Sequence, residues 1–248
     1  MSASEIFLQI VVALAAMLQG VTGIGFALLA APALLMVRGE AASLQVISLL
    51  TVVIAALLLP AIWRSVDRRI FVPVTLAAVA AMPLGLALYA LASIQALKLG
   101  AGLFLATLLG LTLAGGVGRM AIGPRGALVT GVFAGVTGGA LAMVGPPIAL
   151  YMTAINAGKA VSRATILAAF LPCYGVLAGG QMIATGVTQA TLLETAGFLP
   201  ALGLGTLAGH LLSGRVPERR FRQAVTLFLA ATSVALIMDG GGLWSLGG

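Results

Sequence analysis

Uninterrupted apolar runs of about 18 or more residues recur along the whole 248-residue chain, and this feature restricts the fold more than any other. Each run is long enough to cross a hydrocarbon core of about 30 Å as a helix. The runs do not alternate between apolar and polar residues, which argues against a transmembrane barrel. Because 61% of the residues are hydrophobic and only 8% are charged, the chain lacks the charged surface of a soluble domain. The sequence therefore predicts an all-α polytopic membrane protein.

The apolar runs form two sets, each with one interrupted run followed by three uninterrupted runs. The interrupted runs cover about 5–37 and 126–153. We expect helices at about 43–63, 70–91 and 99–117 after the first interrupted run, and at about 164–184, 193–213 and 222–238 after the second. This organisation predicts one transmembrane domain, with a first repeat at 1–120 and a second repeat at 121–248. The first residues carry no basic segment, so we expect no cleaved signal peptide.

The same four residues, Gly-Val-Thr-Gly, occur in both interrupted runs, at 20–23 and at 135–138. When 18–37 is placed over 133–152, seven of the twenty positions are identical, and the matches include these four residues and one proline. Chance agreement between two apolar segments favours Ala and Leu, and it does not readily produce this set of matches. The alignment therefore predicts an internal duplication.

The distribution of Lys and Arg predicts the orientation of the two repeats. If each interrupted run crosses the membrane once, eight of the thirteen basic residues lie inside, whereas eleven lie inside if each run enters and leaves on the same side. Cytoplasmic loops are enriched in Lys and Arg, so the second arrangement is favoured. It leaves only Arg38 and Lys98 outside, places both termini outside, and starts the second repeat from the opposite side to the first. This is the inverted repeat typical of secondary transporters.

The arms of each interrupted run are predicted to be short. Residues 5–19 rise about 22 Å as a helix at 1.5 Å per residue, which is less than the thickness of the hydrocarbon core. The arms at 24–37 and 126–135 are no longer than this. We therefore expect two short helical hairpins that enter from opposite faces, with their tips near the membrane midplane. A broken helix with a tilted arm that reaches the far side is the alternative.

The two glycine-rich tips are predicted to form an anion site. Unpaired backbone groups are tolerated at membrane depth only beside protein or water, so the breaks imply a polar cavity between the repeats. We expect the returning helices to begin near Gly23 and Gly138, with their N–H groups and positive dipole ends facing this cavity. Glycine lets an oxyanion approach the backbone, and Thr22 and Thr137 are expected to cap these helices or to bind the anion. The predicted substrate-binding residues are Gln19, Gly20, Thr22, Gly23, Gly25, Gly135, Thr137, Gly138, Gly139, Pro147, Tyr151 and Tyr174.

Several polar and small residues also have purely structural interpretations. Close helix packing is favoured by three glycine pairs spaced four residues apart, which are Gly131 with Gly135, Gly175 with Gly179, and Gly205 with Gly209. Tyr151 either contacts the ligand or anchors its helix at the membrane interface. Tyr174 lies in the middle of a predicted span, where it faces either the cavity or protein. Arg163, at the start of a helix, either steers anions to the cytoplasmic mouth or only sets the orientation, and His210 is expected to be structural.

The paired glycine turns are each followed by an apolar stretch and a proline, and the second turn leads into VGPPIALYM at 144–152. These features resemble the sulfite exporter TauE/SafE family of small bacterial membrane transporters. The specific letters cover only 18–37 and 133–153, whereas the organisation is similar over the full length. The resemblance implies transport of sulfite, organosulfonates or other sulfur oxyanions. We accordingly expect a multi-pass protein of the bacterial inner membrane.

The leading hypothesis is a secondary transporter for a small sulfur-containing anion. An intramembrane hydrolase is an alternative, but the chain has one His and one Cys, and no carboxylate pair lies in the middle of a predicted span. A non-transporting membrane scaffold is a third hypothesis, although a scaffold does not need duplicated glycine breaks. We expect no cofactor, no metal and no nucleic-acid partner. The expected partners are a small anionic substrate and the lipid bilayer. The sequence does not decide whether the protein forms a homo-oligomer.

Overall fold

The computed structural model describes residues 2–39, 42–113, 123–212, 230–231 and 233–241 of the chain. Within these residues the protein is helical and contains no strand, which confirms the predicted all-α fold. The described helices are α1 (Ala3–Thr22), α2 (Phe26–Arg38), α3 (Ala42–Ile62), a short 3-10 helix (Trp63–Ser65), α4 (Arg68–Leu91), α5 (Ile94–Leu113), α6 (Pro124–Leu141), α7 (Gly145–Ala154), α8 (Lys159–Thr185) and α9 (Gln189–Leu212). Residues 233–240 are helical as well.

Six of the described helices are long and apolar enough to cross a membrane. They are α1, α3 with the 3-10 helix that follows it, α4, α5, α8 and α9. Large apolar side chains such as Leu76, Ile183 and Leu204 are exposed on these helices, as lipid contact requires. Most of the helix predicted at 222–238 lies outside the described residues, and so does the predicted boundary between the repeats at 120 and 121.

Short polar residues begin the helices where the apolar runs start. Ser2 and Glu5 form a capping box at α1, in which Ser2 Oγ accepts from Glu5 N–H at 3.2 Å. Asp67 caps α4 because its carboxylate accepts from Arg69 N–H at 2.9 Å. These caps satisfy N–H groups that have no acceptor within the helix itself.

The first arms of the two hairpins are longer than predicted, and in each hairpin the second arm is shorter than the first. α1 has 20 residues and α6 has 18, whereas α2 has 13 and α7 has 10. At 1.5 Å per residue, α1 extends for about 30 Å, which is enough to cross a hydrocarbon core. The prediction that 5–19 forms an arm too short to span is therefore wrong. The helix continues through Gly20 because this glycine packs against α9, where a Cβ atom would lie 3.0 Å from the Cα atom of Gly209.

Each hairpin packs against a helix of the other predicted repeat. α1 lies against α9, α6 lies against α4, and α3 packs against α8. Glycines make the first two contacts close, because a Cβ atom on Gly205 or Gly209 would overlap the backbone of α1, and one on Gly131 or Gly135 would overlap the backbone of α4. Two repeats related by a two-fold axis would produce this exchange of neighbours. The inverted relation of the repeats stays a prediction.

Three contacts between distant residues define two ends of the molecule. At one end, Arg38 of α2 forms an ion pair with Glu194 of α9 at 3.0 Å, and Gln45 of α3 donates to the Gly186 carbonyl at 2.9 Å. At the other end, the N–H of Asp67 donates to Thr165 Oγ1 of α8 at 3.0 Å. The end of α2 and the start of α3 thus lie beside the segment that joins α8 to α9, and the loop at 64–69 lies at the opposite end of α8. Which end faces the cytoplasm stays a prediction from the basic residues.

Candidate functional site

The first break, residues 23–25, joins the C-terminal end of α1 to the N-terminal end of α2. Gly23 has a φ of 82°, and its N–H donates to the Gln19 carbonyl at 2.7 Å, so this residue ends α1 in a left-handed cap. Gly25 has a φ of 126°, which favours glycine, and α2 begins at Phe26. The break therefore brings together the negative end of one helix dipole and the positive end of another.

Thr22 stabilises the first break through its hydroxyl group. Oγ1 contacts the carbonyl of Leu18 at 2.9 Å and the carbonyl of Ile24, and it accepts from Ile24 N–H at 3.2 Å. Because a hydroxyl group carries one proton, it donates to one of these carbonyls at a time. The hydroxyl is thus engaged by the backbone of the break, and the predicted capping of α2 by Thr22 is not observed.

Gln19 caps α2 in place of Thr22. Its Oε1 atom accepts from Phe26 N–H at 3.0 Å, and only 1% of the residue is exposed. Its Nε2 atom is buried and has no hydrogen-bond partner among the described residues. The side chain thus uses its acceptor on the helix and leaves an unused donor at the start of α2.

The second break, residues 142–144, comes about two helical turns later than predicted. α6 continues through Gly138 and Gly139 to Leu141, and Ala142 takes the left-handed conformation with a φ of 56°. The second Gly-Val-Thr-Gly segment therefore lies inside α6. The expectation that the returning helix begins near Gly138 is wrong, because α7 begins at Gly145.

Packing against α4 explains why α6 does not end at its glycines. A Cβ atom on Gly135 would overlap the Ala78 carbonyl, and one on Gly139 would lie 2.7 Å from the Cα atom of Gly85. This contact offsets the low helix propensity of glycine. Gly138 lies instead beside Val144, whose Cγ2 atom would be 2.5 Å from an added Cβ atom. The predicted role of these glycines in anion binding stays a prediction.

Thr137 stabilises the second break as Thr22 stabilises the first. Its Oγ1 atom lies 2.8 Å from the Phe133 carbonyl and 3.0 Å from the Met143 carbonyl. Each threonine therefore links the last turns of the first arm to a carbonyl of the break. This shared contact is the structural counterpart of the repeated sequence.

The starts of α2 and α7 differ in their supply of backbone N–H groups. α7 begins with Gly145, Pro146 and the half-buried Pro147, and proline has no N–H group. The fixed φ of proline suits the first turn of a helix. However, two N–H groups of this turn are missing, so an anion cannot bind the two tips equivalently through the backbone. The equal tips predicted from the repeat are not observed.

Tyr174 and Tyr151 donate to carbonyls near opposite ends of α6. Tyr174 of α8 is 1% exposed and donates to the Ala142 carbonyl, in the second break, at 2.6 Å. Tyr151 of α7 donates to the Gly123 carbonyl, just before α6, at 3.1 Å. Tyr174 therefore belongs to the breaks, whereas the hydroxyl group of Tyr151 lies away from them.

The two breaks meet across an apolar contact. A Cβ atom on Gly145 would lie 3.5 Å from Cγ2 of Ile24, in the first break, and 2.8 Å from Cζ of Phe170. Phe170 packs edge-on against Tyr174, with ring centroids 5.3 Å apart. The breaks are thus adjacent and in apolar contact, and the polar cavity between the repeats stays a prediction. A pocket of about 150 Å³ lies at the Arg38–Glu194 end and is lined by Ala42, Gln45, Tyr89, Thr185, Gly186, Thr188 and Thr191.

Arg163 contacts the first break, and the predicted set of site residues did not include it. It lies in the second turn of α8, its Nη2 atom donates to the Gly20 carbonyl, and its stem packs against Gly23. The signal in the sequence was an arginine at the start of a predicted membrane helix, because a charged side chain there needs a polar partner. The sequence could not identify this partner, which is 143 residues away.

The described residues contain no group of three His, Cys, Asp or Glu side chains placed to hold a metal ion. Cys173 is a buried free thiol of α8. The chemistry available at the breaks is therefore hydrogen bonding by backbone N–H groups, Gln19 and Arg163. Such donors bind an anion without further cofactors.

The family profile described as sulfite exporter TauE/SafE matches residues 8–236. This match includes both hairpins and most of the chain. The chain belongs to the TauE/SafE family. TauE/SafE proteins are membrane transporters that export sulfite and related anions, so this chain is a multi-pass membrane transport protein, and the resemblance carried by the glycine turns is confirmed. Comparisons with curated proteins and with solved structures give no significant match.

Proposed function

We propose that this TauE/SafE protein is a secondary transporter, and not an enzyme, that moves sulfite or an organosulfonate across the bacterial inner membrane. The anion binds where the two helix breaks meet. The observation that carries this proposal is the unused donor of Gln19, whose Nε2 atom is buried without a partner at the start of α2. A buried donor without an acceptor costs about 1–3 kcal/mol, so such a group points to a ligand or a water molecule at the same place.

An anion suits this position better than a cation or a neutral ligand. Gln19 takes up Phe26 N–H, but the next N–H groups of α2 have no acceptor within the helix, and the helix dipole adds partial positive charge at the same end. Neither break contains Asp or Glu, so no carboxylate there repels an anion. Because two prolines remove N–H groups at the start of α7, the anion binds closer to α2 than to α7.

Transport requires the closed contact between the breaks to open on each side in turn. Ile24 and Phe170 lie against Gly145 and block the way between the two hairpins. Each hairpin can move together with the helix that it packs against, which is α9 for α1 and α4 for α6. Such a movement would separate the contact without exposing backbone to lipid. The hydroxyl groups of Thr22 and Thr137 keep each break folded during this movement.

The hydrolase alternative gains no support from the breaks. A threonine nucleophile needs a base that removes its proton. The hydroxyl groups of Thr22 and Thr137 contact backbone carbonyls, which act as acceptors but are not bases. The transport function therefore accounts better for the observed contacts.

We also propose that both termini lie outside and that the loop at 64–69 lies inside. The motive is the split of eleven basic residues to two, together with the placement of Arg38 and of the loop at 64–69 at opposite ends of the molecule. A C-terminal fusion to a reporter that is active only outside the cytoplasm checks this orientation. Activity of a cytoplasm-specific reporter at the same position would contradict it.

The substitution Gln19→Glu separates the capping role of Gln19 from its role in anion binding. A carboxylate keeps the acceptor for Phe26 N–H and suits the positive end of α2, so folding is preserved. It removes the amide donor and adds a negative charge, so sulfite binding should weaken by about 100-fold or more. Gln9→Glu is the matched control on the same helix, because Gln9 donates to the Gly197 carbonyl far from the breaks.

Calorimetry with purified protein and flux of labelled sulfite into proteoliposomes measure these effects. Sulfate, chloride and an organosulfonate serve as competing anions. We expect the wild type and Gln9→Glu to bind and transport sulfite equally, and Gln19→Glu to do neither while it unfolds at the same temperature or higher. Unchanged sulfite transport by Gln19→Glu would show that the first break is not part of the anion site. If the wild type transports no sulfur anion, the proposed function is rejected.

A further inference from the structure

Arg163 is the cationic side chain that contacts the first break in the described structure. It is half-buried in the second turn of α8, one turn beyond the exposed Lys159. A Cβ atom on Gly23 would lie 2.7 Å from its Cγ atom and 2.9 Å from its Cα atom. The glycine therefore allows the stem of Arg163 to pass directly over the end of α1. The guanidinium group then reaches the carbonyl of Gly20.

This contact has a structural role that must be separated from any role in binding. In a continuing helix the Gly20 carbonyl would accept from Ile24 N–H, but Ile24 N–H donates to Thr22 Oγ1 at 3.2 Å. Arg163 therefore satisfies a carbonyl that the end of α1 leaves unpaired, at the negative end of the helix dipole. A helix cap of this kind uses only part of the guanidinium group.

Arg163 has more hydrogen-bonding capacity than the cap uses. A guanidinium group has five N–H donors, and the Nε atom of Arg163 is buried with no partner among the described residues. The ion pairs in the described part of the chain are Arg38 with Glu194 and Lys98 with Asp239, so no described carboxylate pairs with Arg163. An arginine stays charged in proteins. A buried donor on an unneutralised cation favours the binding of an anion through a charge-assisted hydrogen bond.

We propose that Arg163 provides the positive charge of the anion site and donates to the oxygens of a bound sulfite or sulfonate group. This inference rests on the proposed function. The three oxygens on one sulfur allow two of them to bind the planar guanidinium fork at once. Gln19 lies beside the same break, and its unpaired amide donor adds to the donor set, whereas its Oε1 atom already accepts from Phe26 N–H. A larger residue at Gly23 would displace the stem of Arg163.

Three variants on α8 test the proposal. Arg163→Lys keeps the charge but loses the fork, and Arg163→Gln loses the charge but keeps a donor for the Gly20 carbonyl. Lys159→Gln is the matched control, because it removes one positive charge from an exposed position one turn earlier. Calorimetry measures the affinities for sulfite and for chloride, and thermal unfolding measures the stability of each purified protein. Chloride is spherical and gains nothing from a fork, so the ratio of the two affinities reports the fork itself.

We expect Arg163→Lys to bind sulfite about tenfold more weakly and Arg163→Gln about 100-fold more weakly, with Lys159→Gln within about twofold of wild type. We also expect Arg163→Lys to lose most of the preference for sulfite over chloride. If Arg163→Gln unfolds more easily but binds sulfite like wild type, Arg163 is only a helix cap and the inference is overturned. If Arg163→Gln does not fold, the test rests on Arg163→Lys. An unchanged ratio of sulfite affinity to chloride affinity in Arg163→Lys also overturns the inference. Wild type that binds neither sulfite nor a sulfonate overturns the proposed function together with the inference, whereas wild-type binding with unaffected Arg163 variants overturns the inference alone.

Discussion

Replacing Gly23 with Ala should destabilise the protein more than the same change at Gly39. Both glycines end a helix in the left-handed conformation, with φ of 82° at Gly23 and 66° at Gly39. Any other residue costs about 1–2 kcal/mol in this conformation. A Cβ atom on Gly39 meets nothing within 4 Å, so this strain is the whole expected effect there. At Gly23 the Cβ atom would lie 2.7 Å from Cγ and 2.9 Å from Cα of Arg163, and overpacking adds about 1–3 kcal/mol.

The expected loss for Gly23→Ala is therefore about 2–5 kcal/mol in the free energy of unfolding, against about 1–2 kcal/mol for Gly39→Ala. Because the crowding falls on Arg163, sulfite affinity should also fall about tenfold at Gly23 and remain unchanged at Gly39. Denaturant titration in detergent measures the stabilities, and calorimetry measures the affinities. Equal destabilisation by the two substitutions would show that the side chain of Arg163 moves away from the added methyl group without loss of stability. Normal sulfite binding by Gly23→Ala would separate the glycine from the site.

Three smaller predictions follow from individual contacts. Thr22→Ala and Thr137→Ala should each lower the free energy of unfolding by about 1 kcal/mol and change sulfite affinity less than about threefold, because each hydroxyl group contacts a carbonyl of its break. Calorimetry checks this against the Thr→Ser variants, and a tenfold loss of affinity would place the hydroxyl groups on the ligand. Tyr174→Phe should lower the free energy of unfolding by about 1–3 kcal/mol, because the buried carbonyl of Ala142 loses its donor. An unchanged midpoint of thermal unfolding would contradict this. Lys98→Met or Asp239→Leu alone should lower the free energy of unfolding by about 3–5 kcal/mol, because each leaves one charge of a mostly buried ion pair, 2.6 Å long, without its partner. The double variant should recover most of this loss, and additive losses from the two substitutions would contradict the ion pair.

The helices were predictable because the chain alternates long apolar runs with short polar segments. α3, α4 and α9 begin and end within about five residues of the predicted bounds, since caps such as Asp67 lie where the apolar runs start. The first break was predictable for a similar local reason. Gly23 and Gly25 both take positive φ, and few other residues do so at low cost.

The second break was not predictable from its own residues. Glycines indicate a break, but they also indicate close packing, and only the position of α4 shows that Gly135 and Gly139 belong to the second class. The residue that ends α6 is Ala142, and its carbonyl accepts from Tyr174 on another helix. A left-handed alanine stabilised by a distant partner leaves no signal in the local sequence.

The role of Arg163 was hidden for the same physical reason. Its partner carbonyl on Gly20 becomes available only because α1 ends where it does and α8 packs beside it. The sequence indicates that an arginine at the start of a membrane helix needs a partner, but a backbone carbonyl can be supplied by any residue. Gln19 was predicted as a donor, and the structure adds that its oxygen first caps α2.

The position of a bound anion tests the central claim most directly. Selenite has the shape and charge of sulfite, and anomalous scattering from selenium locates it in a crystal without reference to the protein. We predict an anomalous peak in the first break, within hydrogen-bond distance of the Gln19 Nε2 atom and the Arg163 guanidinium group. A peak at the start of α7, or in the pocket beside Gln45, with none at the first break, would contradict this claim.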